Sequence, residues 1–430
     1  MTLRFLRPFG VLSLCLLPAV ARAQDTIPQG VRVGLTYDPS ARPGVFVTAV
    51  SGLNGDSVRA MIARDLDFGD RLTIISADAG PPPTGAINYL LYAKLGAAAL
   101  VQASVTPQGS LHVAVHDLAA KRVLNVGDFA FNNSAALSPA WRMVVHRASD
   151  EVERWITSTR GIAATRVIFV RDQRLWLVDS DGANLAPLGV GGIGLSPAWH
   201  PTGRYVAYAA MADDGTHIVV RDLVTGQGRR VQDIASNNFT PTFSPDGGTL
   251  VFSAGSDGTD LYAVMPFGSD EPRRVTVGRG SPTSSPTFSP DGRRIAYISG
   301  RLGHPEVYIT DADGTNAELL TESSSGEQPY RANPDWSPDG RNVAFTSQEG
   351  PNLQVMMISV RDRRIRQLTG DARNEDPSWA PDGRHIVFTS TRSGAKQLWV
   401  LDTESGRTRQ LTRGAGLARM AAWSPRMEQP

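Results

Sequence analysis

From about residue 166 onward, short apolar runs alternate with polar turns in a register that repeats to the end of the chain. Runs such as VFSA from Val251 and IAYIS from Ile295 are rich in β-branched and aromatic residues and bounded by Gly, Pro, Asn, Asp and Ser, the pattern of short strands. The runs belong to a recurring phrase: PAWHPTGRYVAYAA from Pro197, PTFSPDGGTLVFSA from Pro241, PTFSPDGRRIAYIS from Pro286, PDWSPDGRNVAFTS from Pro334 and PSWAPDGRHIVFTS from Pro377, with a shortened AAWSPR from Ala421. Its aromatic anchors, Trp199, Phe243, Phe288, Trp336, Trp379 and Trp423, are spaced by 44, 45, 48, 43 and 44 residues, the period of a four-stranded propeller blade.

Each period predicts an inner strand ending in the aromatic, a Ser-Pro-Asp-Gly turn, a second strand, a third such as QLWVLD and a fourth such as RQLT. Second strands begin near Val167, Tyr205, Leu250, Ile295, Val343 and Ile386, and third strands near Leu175, His217, Leu261, Glu306, Leu353 and Gln397. The stretch Arg166 to Leu188 lacks an inner strand, whereas Ala421 to Pro425 is an inner strand with nothing after it. The two complete each other, so the C-terminal strand is expected to close a six-bladed ring and remove its open sheet edges. Pro presets one turn angle and Asp-Gly supplies an acceptor and a left-handed position, which makes Asp246, Asp291, Asp339 and Asp382 turn residues; Thr202 replaces the aspartate in the first complete repeat. The repeated aromatics read as wedges between blades.

Residues 24 to 162 have a different texture. Apolar strands (Val31 to Leu35, Val45 to Val50, Ala99 to Val105, Leu111 to Val115) are interleaved with a helix over Asp56 to Leu66 and another capped by Ser138, with Pro139 next. The second helix is expected to bury Trp141, Val144, Val145, Ala148, Val152 and Trp155. Gly80 to Pro83 marks a loop and residues 158 to 164 a linker. The expected organisation is a two-domain chain: a small α/β N-terminal domain over 24–162, then a six-bladed all-β propeller with WD40-like repeats over 163–430, closed by the C-terminal strand.

Composition adds compartment and excludes some partners. Arg4 and Arg7, the apolar run Val11 to Val20 and Ala21-Arg22-Ala23 have the order of a secretory signal over residues 1–23, with cleavage expected after Ala23. The run is shorter than the roughly 20 residues of a membrane span, and no later stretch approaches that length. The only cysteine, Cys15, lies inside the signal, so no disulfide is expected in the mature chain. With 43 basic and 42 acidic residues the net charge is +1, and removing Arg4, Arg7 and Arg22 leaves 40 against 42, or −2; bulk charge attracts neither nucleic acid nor anionic lipid.

The seven histidines lack metal-ligand spacing; His112 and His116, four apart on a strand, would stand about 13 Å apart. No G-x-S-x-G elbow occurs. Gly189, Gly191 and Gly194 fit a dinucleotide fingerprint literally but lead into a strand, and Asp179-Ser-Asp-Gly and Asp311-Ala-Asp-Gly read as hairpin turns rather than calcium loops. No catalytic residue, cofactor or metal is expected. In a four-stranded blade, the loops joining strand four to the next inner strand share a face with those joining strands two and three, opposite the Ser-Pro-Asp-Gly turns. Residues expected in these loops around the channel are Asn237, Asn238, Thr240, Ser284, Ser285, Arg331, Asn333, Asn374, Glu375 and Asp376, a mixed-charge set suited to a protein partner.

The signal, the α/β segment and the W-S-P-D-G blades, together with ALVQASVTPQGSLHVAVHDL from Ala99, HRASDEVERWITSTRGIAATRVIFV from His146 and the ending AAWSP, resemble the TolB family of the Tol-Pal system over essentially the whole mature chain. The resemblance implies a periplasmic, non-enzymatic scaffold, monomeric within its complex, that binds a Pal-like peptidoglycan-associated lipoprotein through the propeller. A TolA-like inner-membrane protein would engage an N-terminal segment within Gln24 to Val45, including Val31, Arg32, Val33, Arg42 and Pro43. Such a scaffold supports outer-membrane integrity and cell division. The alternative is an exported propeller enzyme or small-ligand sensor acting on a sugar or peptide in the channel.

Overall fold

The computed structural model describes residues 42–76, 83, 85–278, 280–321 and 329–427. The expected signal with its cleavage point, the strand Val31 to Leu35 and the partner residues Val31, Arg32 and Val33 lie outside them.

The first part is one mixed sheet carrying helices. Its elements are β1 (Gly44–Val47), α1 (Gly55–Phe68), β2 (Thr73–Ile74), α2 (Tyr89–Lys94), β3 (Ala99–Val105), β4 (Ser110–Asp117), β5 (Arg122–Ala130) and α3 (Pro139–Thr157). The strand order is β2-β1-β3-β4-β5, with β1 parallel to both neighbours and the remaining pairs antiparallel. Helix α3 begins where its sequence signals place it: Ser138 Oγ accepts the Trp141 N–H at 3.3 Å and Pro139 occupies the first turn, where its missing N–H costs nothing. Its apolar face is buried at Trp141, Val144, Val145, Ala148 and Val152. Trp155 departs from the expectation. It is only half-buried, lying over Gly127 of the edge strand β5, where an added Cβ would stand 2.9 Å from the indole.

Six four-stranded antiparallel sheets follow. Blade 1 is built from Arg166–Arg171, Arg174–Asp179 and Ala186–Pro187, with the C-terminal strand Ala418–Trp423 as its inner member, paired Trp423 to Val167 and Ala418 to Arg171. This strand closes the ring as the half-repeats require. The inner strands of blades 2 to 6 are Ile193–Trp199, Asn238–Phe243, Thr283–Phe288, Arg331–Trp336 and Asn374–Trp379.

The repeated aromatics are wedges: Trp379 packs in one buried cluster with Ala344 and Val355 of blade 5 and Phe388 of its own blade. Each Ser-Pro-Asp-Gly turn closes on its aspartate. Asp291 accepts from Ser289 Oγ at 2.6 Å and from the Arg293 N–H at 3.1 Å, while Gly292 takes the left-handed φ of 71°. The threonine ending RQLT-like fourth strands is a second repeated device. Thr276, Thr321, Thr369 and Thr412 each accept a third-strand N–H, from Leu261, Val307, Val355 and Leu398, at 2.9 to 3.0 Å. Each hydroxyl also donates to a polar side chain near the start of that strand, Asp260, Glu306, Gln354 or Gln397. The outer edge of the blade is thereby tied inward without a longer strand.

Candidate functional site

The channel along the ring axis is shaped by one irregularity per blade. Each inner strand slips register at a single residue with positive φ: Ser196 (48°), Thr240 (46°), Ser285 (53°), Asn333 (50°), Asp376 (56°) and Met420 (52°). Pro follows in blades 2 to 6. Left-handed backbone is strained for a β-branched residue such as Thr240, so repetition of the kink around the ring marks a built feature rather than a defect.

These residues form an arc of blade-to-blade hydrogen bonds. Ser285 N–H donates to Thr240 Oγ1 (3.1 Å), Ser285 Oγ to Asn333 Oδ1 (3.4 Å), Asn333 Nδ2 to Asp376 Oδ1, and Met420 N–H to Asp376 Oδ2 (3.2 Å). A second layer lies below: Asp335 accepts from Thr287 Oγ1 at 3.2 Å and from the Trp379 N–H at 2.7 Å. Burial pushes Asp335 up to about 6, because desolvation outweighs those donors, and burial with Glu375 beside it raises Asp376. The cavity between these layers holds about 370 Å³ and is lined by both rings, the prolines and the wedge tryptophans.

The structure corrects the loop assignment of the ten candidate channel residues. All but Asn237 lie within the inner strands. Asn238, Arg331, Asn374 and Glu375 are buried. Asn238 Nδ2 donates to the carbonyls of Thr216 and Ala235 (both 2.8 Å), Asn374 Nδ2 to Gln354 Oε1 (2.8 Å), Arg331 pairs with Glu306 (2.5 Å), and Glu375 is held by Arg373 (3.0 Å) and Lys396. A polar residue opening an inner strand thus serves mainly as a pin, which polarity alone does not distinguish from a contact residue. Asn237, Thr240, Ser284, Ser285, Asn333 and Asp376 remain half-buried.

What the polar reading overlooked on that face is apolar. Met211, Ile234, Val277, Leu302, Tyr330 and Leu417 are exposed there, Val277 by 64% and Leu302 by 54%; Met211 stands at the end of the second strand of blade 2, and the others lie in loops joining strands two and three or leading into inner strands. Apart from Met211, the signal was present in the sequence as single greasy residues inside otherwise polar loops.

The opposite face, at blades 6 and 1, packs against α1 and α3 through buried charge. His385, directly after the blade 6 turn, bonds Asp382 at 2.8 Å through Nδ1 and Asp70 at 3.2 Å through Nε2. Arg71 pairs with Asp382 and with Glu153 of α3, each at 3.1 Å, and Arg407 with Asp70 at 2.9 Å. In blade 1, Asp181 receives Arg64 and Arg142, while His146 bonds Asp65 at 2.8 Å. Burial opposes charge on His385, but Asp382 and Asp70 outweigh it and hold the imidazolium up at about 9; Asp65 raises His146 in the same way.

Two sets, Asp65 with His146 and Asp181, and Asp70 with His385 and Asp402, bring ligand atoms within 4.8 Å. Arginines already pair with Asp181 in the first set and with Asp70 and Asp402 in the second, and the histidines bond Asp65 and Asp70, so both sets are networks of ion pairs. Asp382 is therefore both a turn residue and a joint residue. Arg42 also belongs to this joint, paired with Asp70 at 3.0 Å, and Pro43 accepts the Thr73 N–H through its carbonyl.

Among the described residues no helix is long and apolar enough to cross a membrane. The family model for the TolB beta propeller domain matches residues 152–427. Curated relatives include the Tol-Pal system protein TolB of Gluconobacter oxydans (strain 621H), 29% identical over 239 residues, 53% of this chain and 51% of that protein. A protein TolB homolog of Chlamydia pneumoniae is 28% identical over 227 residues, 49% of this chain and 48% of that protein. The chain thus matches about half the length of these relatives. The crystal structure of TolB from Acinetobacter baumannii superposes with a TM-score of 0.78 at 23% identity, over 91% of this chain and 98% of that one.

Proposed function

The chain belongs to the TolB β-propeller family, and from that premise we propose that it is the periplasmic scaffold of a Tol-Pal-type envelope system, docking a Pal-like lipoprotein on the propeller face that carries the exposed apolar loops and a TolA-like protein through its N-terminal segment. In this role it supports outer-membrane integrity and cell division without catalysing a reaction, with the boundary between its two parts near residue 162. The observation that carries the docking site is the set Met211, Ile234, Val277, Leu302, Tyr330 and Leu417, spread around one face of the ring. The other face is the one against which α1 and α3 pack. Apolar residues around a polar, hydrogen-bonded mouth match the make-up of a protein interface, where a buried apolar centre supplies affinity and polar groups set register.

The channel favours this reading over catalysis. The Asp335 and Asp376 carboxylates, the acids of its two layers, have their oxygens committed to backbone and side-chain donors. For the N-terminal partner, Arg42 is engaged by Asp70 and Val45 is buried in β1, so the C-terminal end of the expected segment already has internal contacts. The docking test is titration calorimetry of the mature protein with the soluble domain of the organism's Pal-like lipoprotein. Leu302→Asp, Tyr330→Asp and Leu417→Asp together are expected to weaken binding at least about tenfold, while Val224→Asp on the opposite face leaves it unchanged. Unaltered affinity in the triple variant would refute the face assignment.

A further inference from the structure

One position of the fourth strand recurs around the ring with a constant role. Arg229, Arg273, Arg366 and Arg409 stand opposite Val220, Ala263, Met357 and Val400 of the third strands, so they are equivalent in blades 2, 3, 5 and 6. Three of them clamp the turn of the following blade. Arg229 donates to the Phe267 carbonyl at 2.7 Å, Arg273 to the carbonyls of Asp313 and Ala312 at 3.1 and 3.4 Å, and Arg366 to the Thr403 carbonyl at 3.0 Å.

Arg409 breaks the pattern. Its guanidinium lies 4.2 Å over the ring of Phe68, the last residue of α1, and its buried Nε finds no acceptor among the described residues. The neighbouring carboxylates answer to other partners: Asp181 to Arg64 and Arg142, Asp70 to Arg42, Arg407 and His385, and Asp65 to His146 through Oδ2, its buried Oδ1 having no hydrogen-bond partner among the described residues. Burial accordingly pushes Arg409 down to about 10, despite Asp70 and Asp181 acting through space.

Arg409 lines a cavity of about 380 Å³ between α1 and blades 6 and 1, together with Arg413, with Asp181, whose charge Arg64 and Arg142 already offset, with the backbone of Gly182 and with apolar walls from Phe68, Val178 and Leu185. We propose that this cavity binds a carboxylate carried on a short aliphatic stem, with Arg409 as its guanidinium fork. A planar fork matches a carboxylate in bidentate geometry. The apolar walls suit the methylene groups of such a stem, which inorganic phosphate lacks. The carboxylate could be a glutamate of a peptide or a free dicarboxylic acid, and the two sources are separable. Either would bridge α1 and the ring, taking the acceptor place that a turn carbonyl fills in the other blades.

The test uses the mature protein in low-salt buffer, titrated calorimetrically with glutarate, acetyl-Gly-Glu-Gly-amide and inorganic phosphate. Saturable binding of glutarate and peptide assigns the pocket to carboxylates in general, and binding of the peptide alone assigns it to a protein segment. Arg409→Gln should weaken either at least about tenfold, since one charge-assisted pair is lost, whereas Arg366→Gln should not. Arg409→Lys keeps the charge but not the fork and should also bind more weakly; it serves as well if the glutamine variant fails to fold. No binding of glutarate or peptide, a preference for phosphate, or full affinity in both Arg409 variants would overturn the proposal.

Discussion

His385→Gln tests the charged joint where its electrostatics are most concentrated. The imidazole is fully buried and faces Asp382 of its own turn and Asp70 after α1, with Arg71, Glu153, Arg384 and Asp402 packed around them. Its pKa rises from 6.5 to about 9. At 1.36 kcal/mol per unit, that corresponds to about 3 kcal/mol of stability from holding the proton. A group raised on folding contributes fully below its unfolded pKa and loses the contribution as pH rises through the folded one. The loss therefore falls between about pH 6.5 and 9. Glutamine retains hydrogen bonding but cannot carry the charge, leaving Asp382 and Asp70 facing each other across a neutral side chain. Urea unfolding followed by tryptophan fluorescence should show the variant about 3 kcal/mol less stable at pH 7 and within about 1 kcal/mol of the parent at pH 10, where the parent has lost the proton as well. An equal deficit at both pH values would refute the reasoning and reduce His385 to a packing residue.

Two further outcomes follow from the ring. Gly314 and Gly406 both sit in turns between strands three and four with φ of 96° and 74°, but a Cβ at Gly314 would run into the Val275 carbonyl of the preceding blade while one at Gly406 meets open space. Gly406→Ala should cost about 1–2 kcal/mol for the left-handed backbone alone, and Gly314→Ala about 2 kcal/mol more, read as a difference in urea midpoints; equal costs would contradict the described contact. Trp423 is 6% exposed and its indole N–H donates to Thr165 Oγ1 at 2.8 Å, tying the last strand to the start of the ring. Trp423→Ala should cost about 3–5 kcal/mol, and a cost below about 1 kcal/mol in the same assay would show that this strand does not hold the ring closed.

The docking face divides into a legible and an illegible part. Which loops share a face follows from blade topology and could be reasoned from the repeat. Which residues in them reach solvent could not: Asn238 and Asn374 look like loop polars, yet each turns inward to satisfy backbone or side-chain groups of the preceding blade. Trp155 likewise falls on the apolar stripe of α3 but comes to rest over Gly127 at the sheet edge, where among the described residues no strand pairs with the outer side of β5.

Sequence by itself determined what recurs at fixed spacing: the aromatic wedges, the turn aspartates, the count of six blades and the closing strand, because each is specified by local geometry repeated about every 44 residues. The Ser138 cap of α3 was legible for the same reason, its bond reaching only three residues. Tertiary structure alone decided the rest. His385 and Asp70 are 315 residues apart, and Arg64 and Asp181 are 117 apart. Their pairing exists only because α1 and α3 pack on one face of a closed ring, and that same packing diverts Arg409 from the role its counterparts keep. Burial converts such residues from ordinary turn and surface charges into a joint with displaced pKa values, and burial is a property of the assembled molecule that no local pattern encodes.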